Sequence, residues 1–279
     1  MPRRGANGTQ SVERAITLLR EIATFGKSGA RLSDLILRSR IEYPTAHRIL
    51  KALVEQDLVA KDPTSRRYFL GQLVYELGLG VEPPIDMRLF CDAMTSRLAD
   101  ATGDTIFLNI RSRHDVVCID RKEGSFPIKT LVFDIGNRRP LGIGAAGIAL
   151  LMSYEMDEVQ EIVRANSVRF ARYGRLNAEQ IVALVRRAKD VGYVATDDVV
   201  VPGVRAVCLP FGGHGRLPPS AISVATVAAR LPRSRVAELL STMEDLIRKL
   251  AAPAGPGQGE RTPSSTRPLS RPLTRPVHA

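Results

Sequence analysis

A chain of 279 residues, 25% charged and 44% apolar, suffices for two ordinary globular domains and needs no disulfides or metals to hold its core. No run approaches the roughly 18 consecutive apolar residues of a membrane-spanning helix. No apolar stretch of the secretory kind follows the basic start Met1-Pro-Arg-Arg-Gly, and the net charge of +11 leaves nucleic acid as a candidate partner.

The excess charge sits mostly in residues 1–80 and 251–279, while residues 81–250 are nearly balanced, a pattern that suits an anion-binding head on a less charged body. Cys91, Cys118 and Cys208 are odd in number and far apart, so they suggest neither a disulfide framework nor a thiolate metal site. Reduced thiols in a cytoplasmic protein are the expectation.

Residues 1–9 read as a flexible start. Ser11 is the expected cap of a first helix whose apolar positions are Val12, Ala15, Ile16, Leu19, Ile22 and Ala23. Phe25-Gly-Lys-Ser-Gly ends it. Ser33 is the expected cap of a short second helix with Leu32, Leu35 and Ile36 inward. After the connection Ser39-Arg40-Ile41-Glu42-Tyr43, Pro44 opens a third helix at a position where its missing N–H costs nothing. That helix buries Ala46, Ile49, Leu50, Leu53 and Val54 and shows Thr45, Arg48 and Lys51 on its other face. Strands at 58–61 and 67–70, joined by Asp62-Pro-Thr-Ser, complete a winged helix-turn-helix over residues 10–71.

A helix of this width fits the major groove and reads base edges from its N-terminal residues. Thr45 and Arg48 are the candidate base readers, with Tyr43 and His47 at the margin. Lys51, Arg66 and Arg67 suit phosphates, which position a protein without reading sequence. Arg40, in the turn, is a further phosphate candidate. For any one of these residues, a merely solvated face is an equally good reading; the order of elements, the spacing and the charge together favour DNA.

Residues 72–84 read as a linker containing an apolar helix, closed by Pro83-Pro84. The remainder, 85–250, reads as an α+β sensor domain. Helices are expected at 87–101, from Ala145 to Met152, and from Ala178 to Val191. Strands are expected at 105–110, 115–120 and 128–133, with Ala221 to Ala229 as a buried central strand. Leu141-Gly-Ile-Gly-Ala-Ala-Gly before a helix permits either close approach of a ligand or close packing of helix on sheet, and it lacks the signature of a P-loop. Residues 251–279, rich in Pro, Gly, Ser and Arg, read as a disordered tail.

Ser11-Val-Glu-Arg-Ala-Ile-Thr-Leu-Leu, the run from Pro44 to Val59, and Tyr68-Phe-Leu-Gly resemble the DNA-binding half of the isocitrate-lyase-regulator (IclR) family of bacterial transcription factors. Val116-Val-Cys-Ile-Asp-Arg-Lys-Glu-Gly, Gly136-Asn-Arg-Arg-Pro-Leu-Gly-Ile-Gly-Ala-Ala-Gly, Gly192-Tyr-Val-Ala-Thr-Asp-Asp and Pro202-Gly-Val-Arg-Ala-Val are similar to that family's effector domain, in the same order. The resemblance implies a GAF-like sensor fold, a homodimer that often assembles into a homotetramer, a palindromic DNA operator and a small-molecule effector, with no cofactor and no catalytic residue. Arg40 stands where the family usually carries glycine.

The resemblance also implies an effector pocket at Gly144, Ala145, Ala146, Thr196, Asp197, Ala206, Ser223 and Ala225. In members that bind small keto acids, the positions of Thr196, Ala206 and Ala225 tend to carry Asp, Cys and Ser. The shorter or less polar residues here leave a small polar ligand unpaired and enlarge the pocket, so the expected effector is a larger aromatic or alicyclic carboxylate, with Ser223 and helix N–H groups at its polar end.

Three other classes stay open on sequence. A protein-docking module that uses the winged helix as a scaffold would leave the Arg48 and Arg66 faces unprotected by DNA. A DNA-binding protein without a ligand would show no effector response. An enzyme with a vestigial head would turn over a substrate. His47, His114, His214 and His278 form no catalytic or metal-ligand pattern, and His114 near Cys118 is a surface spacing rather than a nucleophile signature.

Overall fold

A computed structural model describes residues 9–81, 85–173, 176–197, 201–213 and 217–251. Nearly all of the expected flexible start and tail, Pro83-Pro84, His214 and His278 lie outside the described residues.

Three helices and a hairpin share the first core: α1 (Gln10–Ala23), α2 (Leu32–Ser39), α3 (Tyr43–Glu55), β1 (Val59–Lys61) and β2 (Tyr68–Leu70). The α1 stripe differs from expectation. Leu18 and Ile22 are fully buried with Ala15 and Leu19 beside them, whereas Val12 is 59% and Ile16 43% exposed. The helix starts ahead of Ser11, which stands in its first turn, and Thr9 takes the cap position. Ser33 likewise lies inside α2, which Arg31 precedes; there the Arg31 amide donates to the Asp34 carboxylate, 3.4 Å away. Leu35 is buried as expected, with Leu32 and Ile36 against it. In α3, Pro44 sits in the first turn, and Ala46, Leu50 and Leu53 fill the core. β1 and β2 pair antiparallel, with Val59 opposite Leu70.

The helix α4 (Gln72–Leu79) leads to the second half. There a six-stranded antiparallel sheet runs in the order β5-β4-β3-β8-β7-β6. Its strands are β3 (Thr105–Ser112), β4 (Asp115–Glu123), β5 (Arg138–Pro140), β6 (Val194–Asp197), β7 (Val204–Phe211) and β8 (Ser220–Val227). The helices α5 (Met87–Thr102) and α9 (Arg233–Ala251) cover one face, packing on Ile106, Leu108, Ile222 and Val224. The opposite face carries α6 (Gly144–Leu151), α7 (Met156–Phe170) and α8 (Ala178–Val191), packed on Phe107, Cys118, Ala221 and Ala225. Alternate residues of each strand thus serve opposite cores, the expected consequence of a two-residue side-chain period. β8 lies inside the sheet between β3 and β7, as its apolar run requires.

One expected strand is absent. Residues 128–133 form an irregular loop, and the strand that flanks β4 is the short Arg138–Pro140. Ile128 and Leu131 are exposed while Thr130 and Phe133 are buried, so this apolar run has no single face to offer a sheet.

Candidate nucleic-acid interface and ligand cavity

The two turns that shape the reading head are held in left-handed backbone by arginines. Arg40 ends α2 at φ 57°, its amide donating to the Ile36 carbonyl at 2.9 Å. Its side chain is exposed. Arg66 takes φ 59° at the tip of the hairpin and is also exposed.

The exposed face of α3 carries Tyr43, His47, Arg48 and Lys51, with Thr45 half-buried among them. Tyr43 and His47 stack at 6.0 Å, one helical turn apart. Lys51 is 3.8 Å from Glu55, a loose surface pair. Arg40, Arg48 and Arg66 have no ion-pair partner among the described residues. His47 and Lys51 border one shallow depression with Lys61 and Tyr68, so the outer face of α3 adjoins the hairpin. Arg67 is engaged within the head: its guanidinium donates to the carbonyls of Ser28 (3.0 Å) and Gly29 (2.9 Å), fastening the hairpin to the α1–α2 loop.

The second site is a cavity of about 70 Å³, partly open to solvent, on the α6 side of the sheet. Gly144, Ala145, Ala146, Thr196, Ala206, Ser223 and Ala225 all line it. Register explains their convergence. Thr196 pairs with Ala206 and Ala206 with Ala225, one row across β6, β7 and β8. Asp197 does not join them: as the next residue along β6 it is exposed, and its carboxylate meets Arg205 at 2.5 Å, which holds its pKa down.

The small residues leading into and opening α6 divide between the two readings. A Cβ on Gly142 (φ 100°) would lie 2.7 Å from the Ile181 side chain, and one on Gly147 would meet the Gly142 backbone at 3.0 Å, so both serve packing. Gly144 to Ala146 face the cavity, and no side chain caps the N–H groups at that end of α6.

Phe107, Asn109, Phe133 and Arg139 also line the cavity and were not anticipated. A lone asparagine within the apolar run Thr105-Ile-Phe-Leu-Asn-Ile was the available signal for Asn109; the others converge from separate segments, which no local pattern shows. Cys118 is buried, its thiol pushed up to about 12 mainly by desolvation, and it donates to the Asp120 carbonyl; such a thiol supplies no nucleophile at neutral pH. His114 contributes its backbone carbonyl to the Leu141 amide and the Asn166 side chain.

No described helix is long and apolar enough to cross a membrane. The family model for the IclR helix-turn-helix domain matches residues 11–63, and that for the bacterial transcriptional regulator IclR C-terminal region matches residues 84–252. The glycerol operon regulatory protein of Streptomyces coelicolor is 26% identical over 258 residues, covering 91% of this chain and 99% of its own. The crystal structure of an IclR family transcriptional regulator from Brucella abortus superposes with a TM-score of 0.70 at 19% identity, over 88% of this chain and 94% of that one. An IclR homolog from Microbacterium hydrocarbonoxydans, complexed with 4-hydroxybenzoate, gives 0.61 at 17% identity, over 86% and 99%. A helix-turn-helix head, an α/β body with a lined cavity, and family models that match both halves lead to one assignment, a family of regulators rather than enzymes: this chain belongs to the IclR family of bacterial transcriptional regulators.

Proposed function

We propose that this regulator binds a palindromic operator as a homodimer, able to assemble into a homotetramer, and releases or engages it in response to a small organic carboxylate. Residues 10–71 read DNA, 72–84 link, and 85–250 sense. The protein works in the cytoplasm, on the nucleoid. In this reading, α3 enters the major groove, Thr45 and Arg48 contact bases, and Tyr43 and His47 stand at the margin. Arg40, Lys51 and Arg66 take phosphates, while Arg67 braces the wing against the α1–α2 loop. The observation that carries the reading is the outward face of α3, where Arg48 stands exposed with no ion-pair partner among the described residues.

The exposed apolar residues Tyr75, Leu77, Leu79 and Val81 on and after α4 support pairing with a second copy. The effector occupies the cavity lined by Gly144, Ala145, Ala146, Thr196, Ala206, Ser223 and Ala225. Its apolar walls favour an aromatic or alicyclic body, and the 4-hydroxybenzoate held by the Microbacterium hydrocarbonoxydans homolog supports that class. An effector acts by binding one placement of the two heads better than another.

The test is fluorescence anisotropy on DNA from the intergenic region beside the gene, against a scrambled duplex, at two salt concentrations. Carboxylates are added in turn. Specific binding changed by one compound is expected. Arg48→Ala weakens specific binding by about 1–3 kcal/mol, whereas Arg66→Ala mainly lowers the salt slope, by about 1. Equal binding to both duplexes, lost with salt, would overturn the operator reading.

A further inference from the structure

β5 places two consecutive arginines in opposite surroundings. Arg138 is paired: its guanidinium lies 3.3 Å from the Asp115 carboxylate and donates to the Ser112 hydroxyl at 2.9 Å. Arg139 turns into the cavity. There it lies over the Phe133 ring, 4.4 Å from the centroid, and donates to the Val132 carbonyl. No carboxylate stands within ion-pairing distance of it among the described residues; its ionisable neighbours are the Tyr173 phenol and the Cys118 thiol. Burial pulls its pKa down, yet an arginine stays charged. A part-buried charge without an acid is costly unless something else supplies the anion.

A second unpaired group lies in the same cavity. Asn109 is fully buried, and its amide nitrogen makes only long contacts of 3.4 Å to the Phe107 carbonyl and the Ser223 hydroxyl. Its amide oxygen has no partner among the described residues. Exchanging the two amide atoms leaves the nitrogen unpaired instead, so under either assignment one polar atom of Asn109 is open. The register of β3 against β4 shifts between Leu108 and Asn109, the kind of bulge that re-aims a side chain.

We propose that Arg139 holds the carboxylate of the effector and that Asn109 pairs with a hydroxyl on the same molecule, so that the ligand is a hydroxylated aromatic or alicyclic acid. The proposal rests on the effector reading above and narrows it. A carboxylate matches the planar fork of a guanidinium. A hydroxyl both donates and accepts, so it satisfies Asn109 whichever way the amide lies. Phe107 and Phe133 supply flat apolar walls for the body between them.

Titration calorimetry on the full chain tests this with 4-hydroxybenzoate, 4-hydroxycyclohexanecarboxylate, benzoate and methyl 4-hydroxybenzoate. At least one hydroxy acid is expected to bind about tenfold or more tighter than the ester, which lacks the charge, and than its unhydroxylated analogue. Arg139→Gln brings the acid down to the level of the ester, and Arg139→Lys recovers part of the loss. Asn109→Leu removes the advantage of the hydroxyl. Melting curves identify any variant that fails to fold; if Arg139→Gln does, the wild-type comparison of acid with ester and Arg139→Lys still decide. Equal acid binding by wild type and Arg139→Gln, or an ester that binds as well as its acid, would overturn the proposal and leave the effector reading standing. Binding of none of the four would overturn both.

Discussion

Arg40 shows how a single residue is set between strain and use. Left-handed backbone costs a residue with a Cβ about 1 kcal/mol or more, and the usual occupant of this turn escapes that cost. Arg40→Gly is therefore expected to raise stability by about 0.5–1 kcal/mol in urea denaturation, relief of strain exceeding the extra freedom of glycine in the unfolded chain. If the side chain also touches a phosphate, the same variant lowers the salt slope of DNA binding by about 1, and the two readouts separate its roles. The positive φ was legible only through the family resemblance, because Arg40 stands where the family usually carries glycine. The engagement of Arg67 was not, since its partners Ser28 and Gly29 lie far back in the chain.

At the scale of elements, the two helices on one face of the sheet are tied at a single carboxylate. Asp104, almost wholly buried after α5, accepts from Arg230 Nε at 3.0 Å and from Thr226 Oγ1 at 2.7 Å, and it pairs with Arg235 at 2.9 Å. Both arginines also donate to the Thr102 carbonyl at the end of α5. Asp104→Ala leaves two arginines without their acid, and a loss of about 3 kcal/mol is expected in a thermal or urea melt. Helices with one strong apolar stripe were legible in the sequence: α3, α5 and α8 fall within a residue or two of expectation. Elements defined by a distant partner were not. Residues 128–133 look like a strand in isolation and find no strand to pair with, while β5 is too short to show a period. In α1 the true stripe through Leu18 was hidden because Val12 and Ile16 are apolar yet exposed.

The head and body of the molecule touch through polar groups. Arg172, just beyond α7, donates to the Arg38 carbonyl at 2.8 Å, and Glu21 of α1 lies 3.9 Å from both Arg172 and Arg38. Such part-exposed pairs at 3.9 Å are weak, up to about 1 kcal/mol. Arg172→Ala is accordingly expected to speed proteolytic cleavage within α4 by at most about fivefold, with the melting of the head unchanged; no change would mean that the contact carries no coupling. The two-part architecture was legible from motif order alone. The composition of the cavity was legible only where family resemblance pointed, because Asn109 and Arg139 meet through the topology of the whole sheet.

That topology also sets an order of events in synthesis. β3 finds its neighbour β8 only when residues 220 to 225 can pair back to residues 105 to 110, whereas the head closes its core within the first 70 residues. Long-range pairing is slow, and leading domains fold as units while the rest is still being made. A nascent or truncated chain that stops short of Ser220 therefore carries a finished head and no cavity, a reader not yet answerable to any ligand.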